Sequence, residues 1–418
     1  MTGIKSKDRF RVMKVRMDSQ EKRNILGMGF ISLMNDMASE MIYPLLPVFL
    51  TAVLHAGAAT LGIIEGLAET IVSLLKYFSG TYSDRLGKRK PVFAAGYTFS
   101  NIVRPLIGVA GSWWQVLIFR VSDRIGKGVR SAPRDALLAD SASPEHMGIA
   151  FGFQRAMDHT GAIIGPLIAT ALIQFGGLSI KTVFLLSAIP GIITVALAWF
   201  LVVEKPKKKA PSGKSIMFTG SMKNRGYMLF LFAVIIFTLG NSTDAFLLLK
   251  ARDMGIAIAL LPILWVVLHI SKAIFSIPGG WLSDRIGRKP LIIAGWIVYG
   301  LVYFGFAFAS TKLSIWFLFF AYGLFFGLCE GTEKAFVADL VDGENRGGAY
   351  GLYNMAIGIA AFPASVIFGV VWEKVGSHSA FMMGAVLAML ASIILMFTRK
   401  TSSGGLYADR KRSGTYIS

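Results

Sequence analysis

Long apolar stretches separated by short polar segments dominate the pattern of hydrophobic and polar positions along the chain. Because about 20 apolar residues in a helix cross the hydrocarbon core of a bilayer, each stretch predicts a membrane-spanning helix. The pattern therefore predicts an all-α membrane protein that crosses the bilayer many times. The twelve predicted spans are 24–54, 59–80, 91–111, 113–139, 148–176, 180–203, 225–251, 259–281, 290–309, 312–339, 347–374 and 378–399.

Composition argues against an ordinary soluble enzyme. The 418 residues are 54% hydrophobic and only 16% charged, with a mean hydropathy of +0.59, whereas soluble domains carry about 25% charged residues. The single cysteine, Cys329, excludes an intramolecular disulfide and a Cys-rich metal site. No cleavable signal peptide is expected. The sequence has no Walker loop, His-Glu-x-x-His or Gly-x-Ser-x-Gly motif, so we expect neither an enzyme nor a cofactor.

The net charge of +19 is explained by membrane topology rather than by nucleic-acid binding. With both termini placed in the cytoplasm, 28 Lys and Arg residues fall in or beside cytoplasmic segments. Because cytoplasmic loops of membrane proteins are enriched in Lys and Arg, this asymmetry predicts twelve crossings of a plasma or inner membrane. We expect a lipid bilayer around the protein and no nucleic-acid partner. On the side of the membrane opposite the cytoplasm, the basic residues outside or at the ends of the spans are only five: Lys181, Lys250, Arg252, Lys312 and Lys374.

The two halves of the chain repeat each other. SGTYSDRLGKRKP at 79–91 returns as GGWLSDRIGRKP at 279–290, and ALLAD ending at Asp140 returns as FVAD ending at Asp339. Parallel repeats of this kind are typical of transporters that rock around a site at the bilayer midplane. The predicted organisation is a basic tail at 1–23, a six-helix bundle at 24–203, a linker at 204–224, a second six-helix bundle at 225–399 and a tail at 400–418.

The repeated segment resembles the loop 2–3 signature of the major facilitator superfamily. The signature consists of glycine, aspartate and basic residues at fixed spacing. In the first copy the matching residues are Gly80, Asp84, Arg85, Gly87, Arg89 and Lys90. In the second copy they are Gly280, Asp284, Arg285 and Gly287. The second copy departs at its end, where Pro290 replaces the last basic residue. The resemblance covers nearly the whole chain. It implies twelve helices in two pseudo-symmetric six-helix bundles, both termini in the cytoplasm, and transport of a small molecule by alternating access.

Spans 4 and 5 carry two further motifs. FRVSDRIGKGVRSAPRDALLAD in span 4 resembles the family's helix 4 motif, with Arg120 in the place of its arginine and Arg124 where a small residue is usual. Span 5 resembles the helix 5 signature of proton-driven exporters, with Ala169 in the place of the final glycine. In those exporters, the signature shapes packing between the halves. Its matching residues here are Gly152, Gly161, Gly165 and Pro166.

Apart from the first two and last two residues of each predicted span, ten basic and ten acidic residues remain inside the spans, and fifteen of these twenty lie in the first half. Each unpaired charge at mid-membrane costs about 3 kcal/mol or more, so most must be paired or face water. We hypothesise that the first half couples transport to protons, because a carboxylate can release its proton when an arginine approaches and regain it when the arginine leaves. Salt bridges that only orient helices are the alternative. The candidates for proton coupling are Asp36, Glu40, Glu65, Glu69, Arg120, Asp123, Arg124, Arg155, Asp158 and His159.

The few polar side chains of the second half are candidates for a substrate cavity. Together with Asn35 of span 1, they are Asn241, Asp244, Trp265, His269 and Glu330. In the repeat alignment, Arg134 and Asp135 fall opposite Glu333 and Lys334, and this swap of charge predicts a cytoplasmic gate. The candidate gate and loop residues are Gly80, Asp84, Arg85, Gly87, Arg89, Arg134, Asp284, Arg285, Gly287 and Glu333.

Proton-coupled export of small organic compounds is the favoured hypothesis, because the helix 5 spacing and the prolines of IYPLLPVFL at 42–50 resemble those of exporters. Proton-coupled uptake of an organic anion is the alternative, suggested by the cationic face of span 4. Divalent metal efflux is a third hypothesis, since carboxylates are hard oxygen ligands. We expect a small-molecule substrate and protons as partners, no resident metal, and a monomer.

Overall fold

The computed structural model describes residues 18–86, 88–143, 147–204, 224–341 and 346–398, and every regular element in them is helical. The predicted tails up to residue 17 and from residue 399, and the linker residues 205–223, lie outside the described residues. The domain boundaries that depend on these segments therefore stay predictions.

One helical unit corresponds to each predicted span. The first half contains α1 (Ser19–Glu40), α2 (Ala58–Leu86), α3 (Lys90–Val103), α4 (Trp113–Ser141), α5 (Met147–Gln174), and α6a (Ile180–Leu186) with α6b (Ala188–Phe200). The second half contains α7a (Arg225–Gly240) with α7b (Ala245–Asp253), α8 (Leu261–Ile286), α9 (Arg288–Phe308), α10 (Lys312–Leu340), α11 (Arg346–Val375) and α12 (Ser377–Met396). After α1, where Pro44 and Pro47 remove backbone donors, the chain continues in short 3-10 and π turns to Val53.

Nine candidate membrane spans occur in the described part of the chain, judged by helix length and apolar composition. α1, α3 and α4 are not among them, because α3 has 14 residues and the other two carry several charged side chains. The number of crossings therefore stays a prediction. Charged side chains of membrane helices must contact other protein groups or water rather than lipid. The charges of α1 and α4 are therefore expected to face the interior between the halves.

The two halves meet at the helix ends that lie away from the termini. There, Glu373 of α11 accepts a hydrogen bond from the backbone nitrogen of Ala59 (3.1 Å), and Thr170 of α5 donates to the carbonyl oxygen of Ala259 (2.9 Å). We call the other end, where α1 begins and α12 ends, the basic side. Among the described residues, the hydrogen bonds of that end stay within one half, as Lys289 donating to the carbonyl oxygen of Met396 illustrates (2.7 Å). If the basic side is cytoplasmic, as the positive-inside rule predicts, this structure faces inward.

Small residues let α2 and α11 touch along much of their length. Gly62 faces the carbonyl oxygen of Ser365, and Gly358 faces the side chain of Ser73. Thr70 donates a hydrogen bond to the carbonyl oxygen of Gly358 (2.6 Å). Membrane helices that approach this closely depend on small residues at the contact. The α2–α11 contact therefore closes the side opposite the basic side.

Replacing Gly62 by valine is expected to force α2 and α11 apart, because an added Cβ would overlap the Ser365 carbonyl oxygen. The test is the labelling rate of Ala58→Cys, buried in this contact, by a membrane-impermeant maleimide in a Cys329→Ala background. A loss of about 1.4 kcal/mol of contact energy would raise the exposed population, and so the labelling rate, about tenfold.

The matched control for this experiment is Gly331→Val on α10. An added Cβ at Gly331 meets no atom within 4 Å, so its labelling rate should equal that of the parent. Equal labelling of Gly62→Val and the parent would contradict the assignment of the α2–α11 contact as the seal.

Candidate functional site

A cavity of about 670 Å³ lies between the halves, with walls from α1, α2, α4 and α5 on one side and from α10 and α11 on the other. The lining residues near the basic side, such as Lys76, Arg155 and Lys334, are exposed. Those deeper in the bundle, such as Asp36 and Glu40, are half-buried. The cavity is therefore entered from the basic side.

α4 supplies much of the positive charge of this cavity. Residues three or four positions apart share a helix face, and four cations of α4 at this spacing line the cavity: Arg124, Lys127, Arg130 and Arg134. The guanidinium of Arg130 lies over the ring of Tyr97 (4.4 Å to the centroid) and donates to Ser100 (3.0 Å). The charged face of α4 thus looks into the cavity, where water can enter, rather than into lipid.

A second set of charges is sealed between the helices of the first half. Arg120 of α4 donates to both carboxylate oxygens of Glu65 on α2 (2.7 and 2.9 Å), and both side chains are 1% exposed. Asp123, also fully buried, accepts a hydrogen bond from Arg104, the residue that follows α3 (3.0 Å), and lies 3.7 Å from Arg120. Arg104 donates further to the carbonyl oxygen of Asn35 on α1 (3.3 Å). Glu65, Arg120 and Asp123 do not line the cavity, and their geometry is that of ion pairs that join helices.

Three of the predicted proton-coupling acids do line the cavity: Asp36, Glu40 and Asp158. Asp36 accepts a hydrogen bond from the neighbouring Asn35 amide (3.0 Å), and Asp158 lies 3.9 Å from Arg134. Glu40 accepts a hydrogen bond from the indole nitrogen of Trp265 on α8 (2.8 Å). Glu40 is thus a carboxylate of the first half that faces the cavity and contacts the second half.

The remaining coupling candidates have different surroundings. Glu69 of α2 lies 3.8 Å from Arg124, and its side chain is 47% exposed. Arg155 lines the cavity near the basic side. His159 of α5 faces His269 of α8 across the halves, with ring centroids 6.3 Å apart.

The residues predicted for the substrate cavity do not line the cavity between the halves. Asn35 instead accepts hydrogen bonds from Arg104 in the sealed network, and its side-chain oxygen also accepts one from Asn101 of α3 (3.4 Å). Asn241 and Asp244 occupy the break between α7a and α7b, where Asp244 accepts a hydrogen bond from Tyr322 (2.8 Å). The other three are Trp265, which binds Glu40, His269, which faces His159, and Glu330, which is exposed on α10.

Two equivalent arginines of the repeated loop make the same contacts in each half. Arg89 pairs with Asp140 and donates to a backbone carbonyl oxygen of α4 (3.0 Å). Arg288 pairs with Asp339 and donates to a backbone carbonyl oxygen of α10 (2.6 Å). Gly287, with a φ of 92° that favours glycine, makes the turn between α8 and α9. In the described residues, the loop motif therefore anchors α4 and α10 within their own halves.

The predicted cytoplasmic gate is not formed in this structure. Arg134 donates to the adjacent Asp135 (3.0 Å), whereas Glu333 accepts from Trp296 (2.8 Å) and Tyr353 (2.6 Å) of its own half. With the basic side open, the two charges have separate partners. Gly87 lies outside the described residues. The surroundings of Gly80, Asp84, Arg85 and Asp284 are also outside the described part of the structure. Arg285 lies over the ring of Trp281 (3.8 Å to the centroid).

Two glycines of the helix 5 motif pack against α1 of their own half. Added Cβ atoms at Gly161 and Gly165 would meet the α1 backbone at Leu33 and Met37. Gly152 has no atom within 4 Å of such a Cβ, and Pro166 is buried. Another part of α5 does reach the second half, where Thr170 donates to the carbonyl oxygen of Ala259 (2.9 Å). A role of the motif in packing between the halves therefore stays a prediction.

Sequence reasoning did not choose Lys76, Lys127 or Lys334, which all line the cavity. Lys127 had a usable signal, since it lies one helical turn from Arg124 on the same face of α4. Lys334 appeared in the sequence only as part of the charge swap, and Lys76 only as a charge inside a span. The packing of the halves is what brings α2 and α10 to one cavity.

In the described residues, two helical halves enclose a charged central cavity, an arrangement typical of membrane transporters. A family model described as Major Facilitator Superfamily matches residues 28–271 and 230–414. The chain belongs to the Major Facilitator Superfamily. It is therefore a multi-pass membrane transporter with a small-molecule substrate.

Individual relatives extend this comparison. An uncharacterised MFS-type transporter of Methanocaldococcus jannaschii is 38% identical over 388 residues, which cover 91% of this chain and 96% of the relative. The multidrug resistance protein MdtG of Yersinia enterocolitica is 28% identical over 323 residues, 72% of this chain and 75% of the relative. The crystal structure of the nucleoside transporter NupG shares the fold at a TM-score of 0.74 and 15% identity, covering 89% of this chain and 98% of that one.

Proposed function

We propose that the protein exports small organic compounds from the cytoplasm in exchange for protons, as a monomer in the plasma or inner membrane. The observation that carries this proposal is the contact of Glu40 with Trp265. A titratable carboxylate in the wall of the cavity is bonded to the opposite half, so its protonation and the relative position of the halves affect each other.

The direction of this coupling follows from hydrogen-bond strength. An ionised carboxylate accepts a hydrogen bond about twice as strongly as a neutral acceptor does. Loss of the proton from Glu40 therefore stabilises the inward-facing arrangement, in which Trp265 lies 2.8 Å away. A proton taken up from outside and released to the cytoplasm at Glu40 would leave the cavity open for substrate on the cytoplasmic side. Asp36, one helical turn away on α1, lines the same cavity and would share the proton.

Export is supported by the helix 5 spacing and by the relatives that are named multidrug resistance proteins. Uptake of an organic anion is the second candidate, supported by the excess of basic side chains in the cavity wall. In the described residues, no group of three or more His, Cys, Asp or Glu side chains could hold a metal ion. Metal efflux therefore gains no support from the geometry.

The test is the fluorescence of a pH-sensitive dye in energised inverted vesicles that contain the protein. Organic cations, organic anions and divalent metals are added in turn, and dequenching with one class of organic compound is expected. A matched control is Asp253→Asn, an exposed carboxylate at the end of α7b, which should respond like the parent. No dequenching with any class would contradict the exporter, and alkalinisation outside cells on adding an anion would favour uptake.

A further inference from the structure

The cavity wall carries more positive than negative charge. Eight of its side chains are basic and four are acidic. Each of the four acids has a nearby polar partner: Asp36 has Asn35, Glu40 has Trp265, Asp135 has Arg134, and Asp158 has Gln154. The negative charge of the wall is therefore already engaged by protein groups.

Half of the cations are engaged in the same way. Arg104 pairs with Asp123, Arg124 with Glu69, and Arg134 with Asp135, while Arg130 binds Ser100. The other four side chains form no hydrogen bond or ion pair with any described residue. They come from four different helices of the two halves, and they are Lys76 of α2, Lys127 of α4, Arg155 of α5 and Lys334 of α10.

We infer that these four side chains, hereafter the cation cluster, form a subsite for the anionic group of a small soluble organic anion. This inference rests on the proposed transport function and names its substrate class. Cations without partners inside a membrane protein are costly unless water or a counter-charge meets them. A carboxylate, sulfonate or phosphate group meets them with charge-assisted hydrogen bonds. A cationic substrate would instead add to the repulsion.

Binding of an anion to the cation cluster would also change how closely the two halves approach each other. Lys76 and Lys334 belong to different halves and repel each other across the cavity. An anion between them replaces this repulsion with two attractions, so α2 and α10 can approach. Substrate binding would then favour closure of the basic side, which alternating access requires.

Binding to the purified full-length protein tests this inference without any proton gradient. The protein is placed in nanodiscs of zwitterionic lipid, and calorimetry measures the Kd of naphthalene-2-sulfonate, 2-naphthylmethanol and 2-naphthylmethylammonium. The sulfonate is expected to bind about tenfold more tightly than the other two, and each of Lys127→Gln and Lys334→Gln is expected to weaken it by about the same factor. Similar affinities for all three probes would overturn the subsite.

Two controls separate recognition from folding. Lys181→Gln removes an exposed lysine on α6a, outside the cavity, and should bind the sulfonate as the parent does. Lys127→Gln removes a cation that is repelled by Arg124, so its unfolding temperature without ligand should equal or exceed that of the parent. A fall in that temperature, with unchanged sulfonate affinity, would show a structural lysine and overturn the role of Lys127.

The same assay separates a soluble anion from a lipid headgroup. If phosphatidylglycerol in the nanodisc displaces the sulfonate competitively, the cation cluster takes a lipid headgroup, and the assignment to a soluble substrate fails. Undiminished sulfonate binding in that lipid supports the assignment. Sulfonate binding without proton movement in vesicles would leave the subsite standing and overturn proton coupling alone.

Discussion

Glu65→Ala is expected to prevent the protein from reaching a stable fold. The substitution leaves the Arg120 guanidinium, 1% exposed, without the carboxylate that accepts two of its hydrogen bonds. Removing one partner of a buried ion pair costs about 3–5 kcal/mol, and Asp123, 3.7 Å from Arg120, is already paired with Arg104. The measurement is the amount and unfolding temperature of the monodisperse detergent-solubilised protein, followed by fluorescence-detected size exclusion.

Two variants check that the loss comes from the unpaired charge. Glu65→Leu combined with Arg120→Met replaces both charges with apolar groups, and such replacements are often neutral or stabilising, so folded protein should return. Asp253→Asn, in an exposed pair with Arg252 at 3.9 Å, should change the unfolding temperature little, because exposed ion pairs contribute about 0–1 kcal/mol. A parent-like unfolding temperature for Glu65→Ala would show that the sealed network is not what joins α2 to α4.

Glu40→Gln is expected to abolish transport driven by a pH gradient while sparing substrate exchange across a membrane without a gradient. Glutamine keeps an oxygen that can accept the Trp265 hydrogen bond, but it cannot bind and release a proton. The structure of the cavity should therefore persist, and only the coupling should be lost. Proteoliposomes loaded with substrate allow both activities to be measured on one preparation.

Asp36→Asn tests the second carboxylate of the same wall. Gradient-driven transport should fall with exchange retained, because Asp36 lines the cavity beside Glu40. Asp253→Asn again serves as the control. Gradient-driven transport at the parent rate in both Asp36→Asn and Glu40→Gln would remove these residues from the coupling mechanism.

The fold was largely predictable, because long apolar stretches have few alternatives to crossing a bilayer and a 199-residue repeat relates Asp140 to Asp339. The structure adds that Arg89 and Arg288 pair with these two aspartates in the same way. Local breaks were harder to predict. The interruption of α7 near Asn241 falls inside one apolar stretch, where no proline marks it.

The candidate site was predictable only in part, because charge content says which residues avoid lipid but not what they face. Asp123 and Glu40 are both acids inside predicted spans, yet Asp123 is fully buried against Arg104 and Glu40 faces the cavity. The difference comes from helix rotation and from which helices are neighbours. The contact of Glu40 with Trp265 joins residues 225 positions apart, which no local pattern in a single sequence reveals.

Simultaneous measurement of substrate and proton movement in proteoliposomes of the purified protein tests the central claim most directly. Substrate flux in one direction should be accompanied by proton flux in the other, and Glu40→Gln should eliminate the proton flux. Substrate accumulation that proceeds with no proton movement, or proton movement that Glu40→Gln leaves unchanged, would contradict proton-coupled alternating access through this cavity.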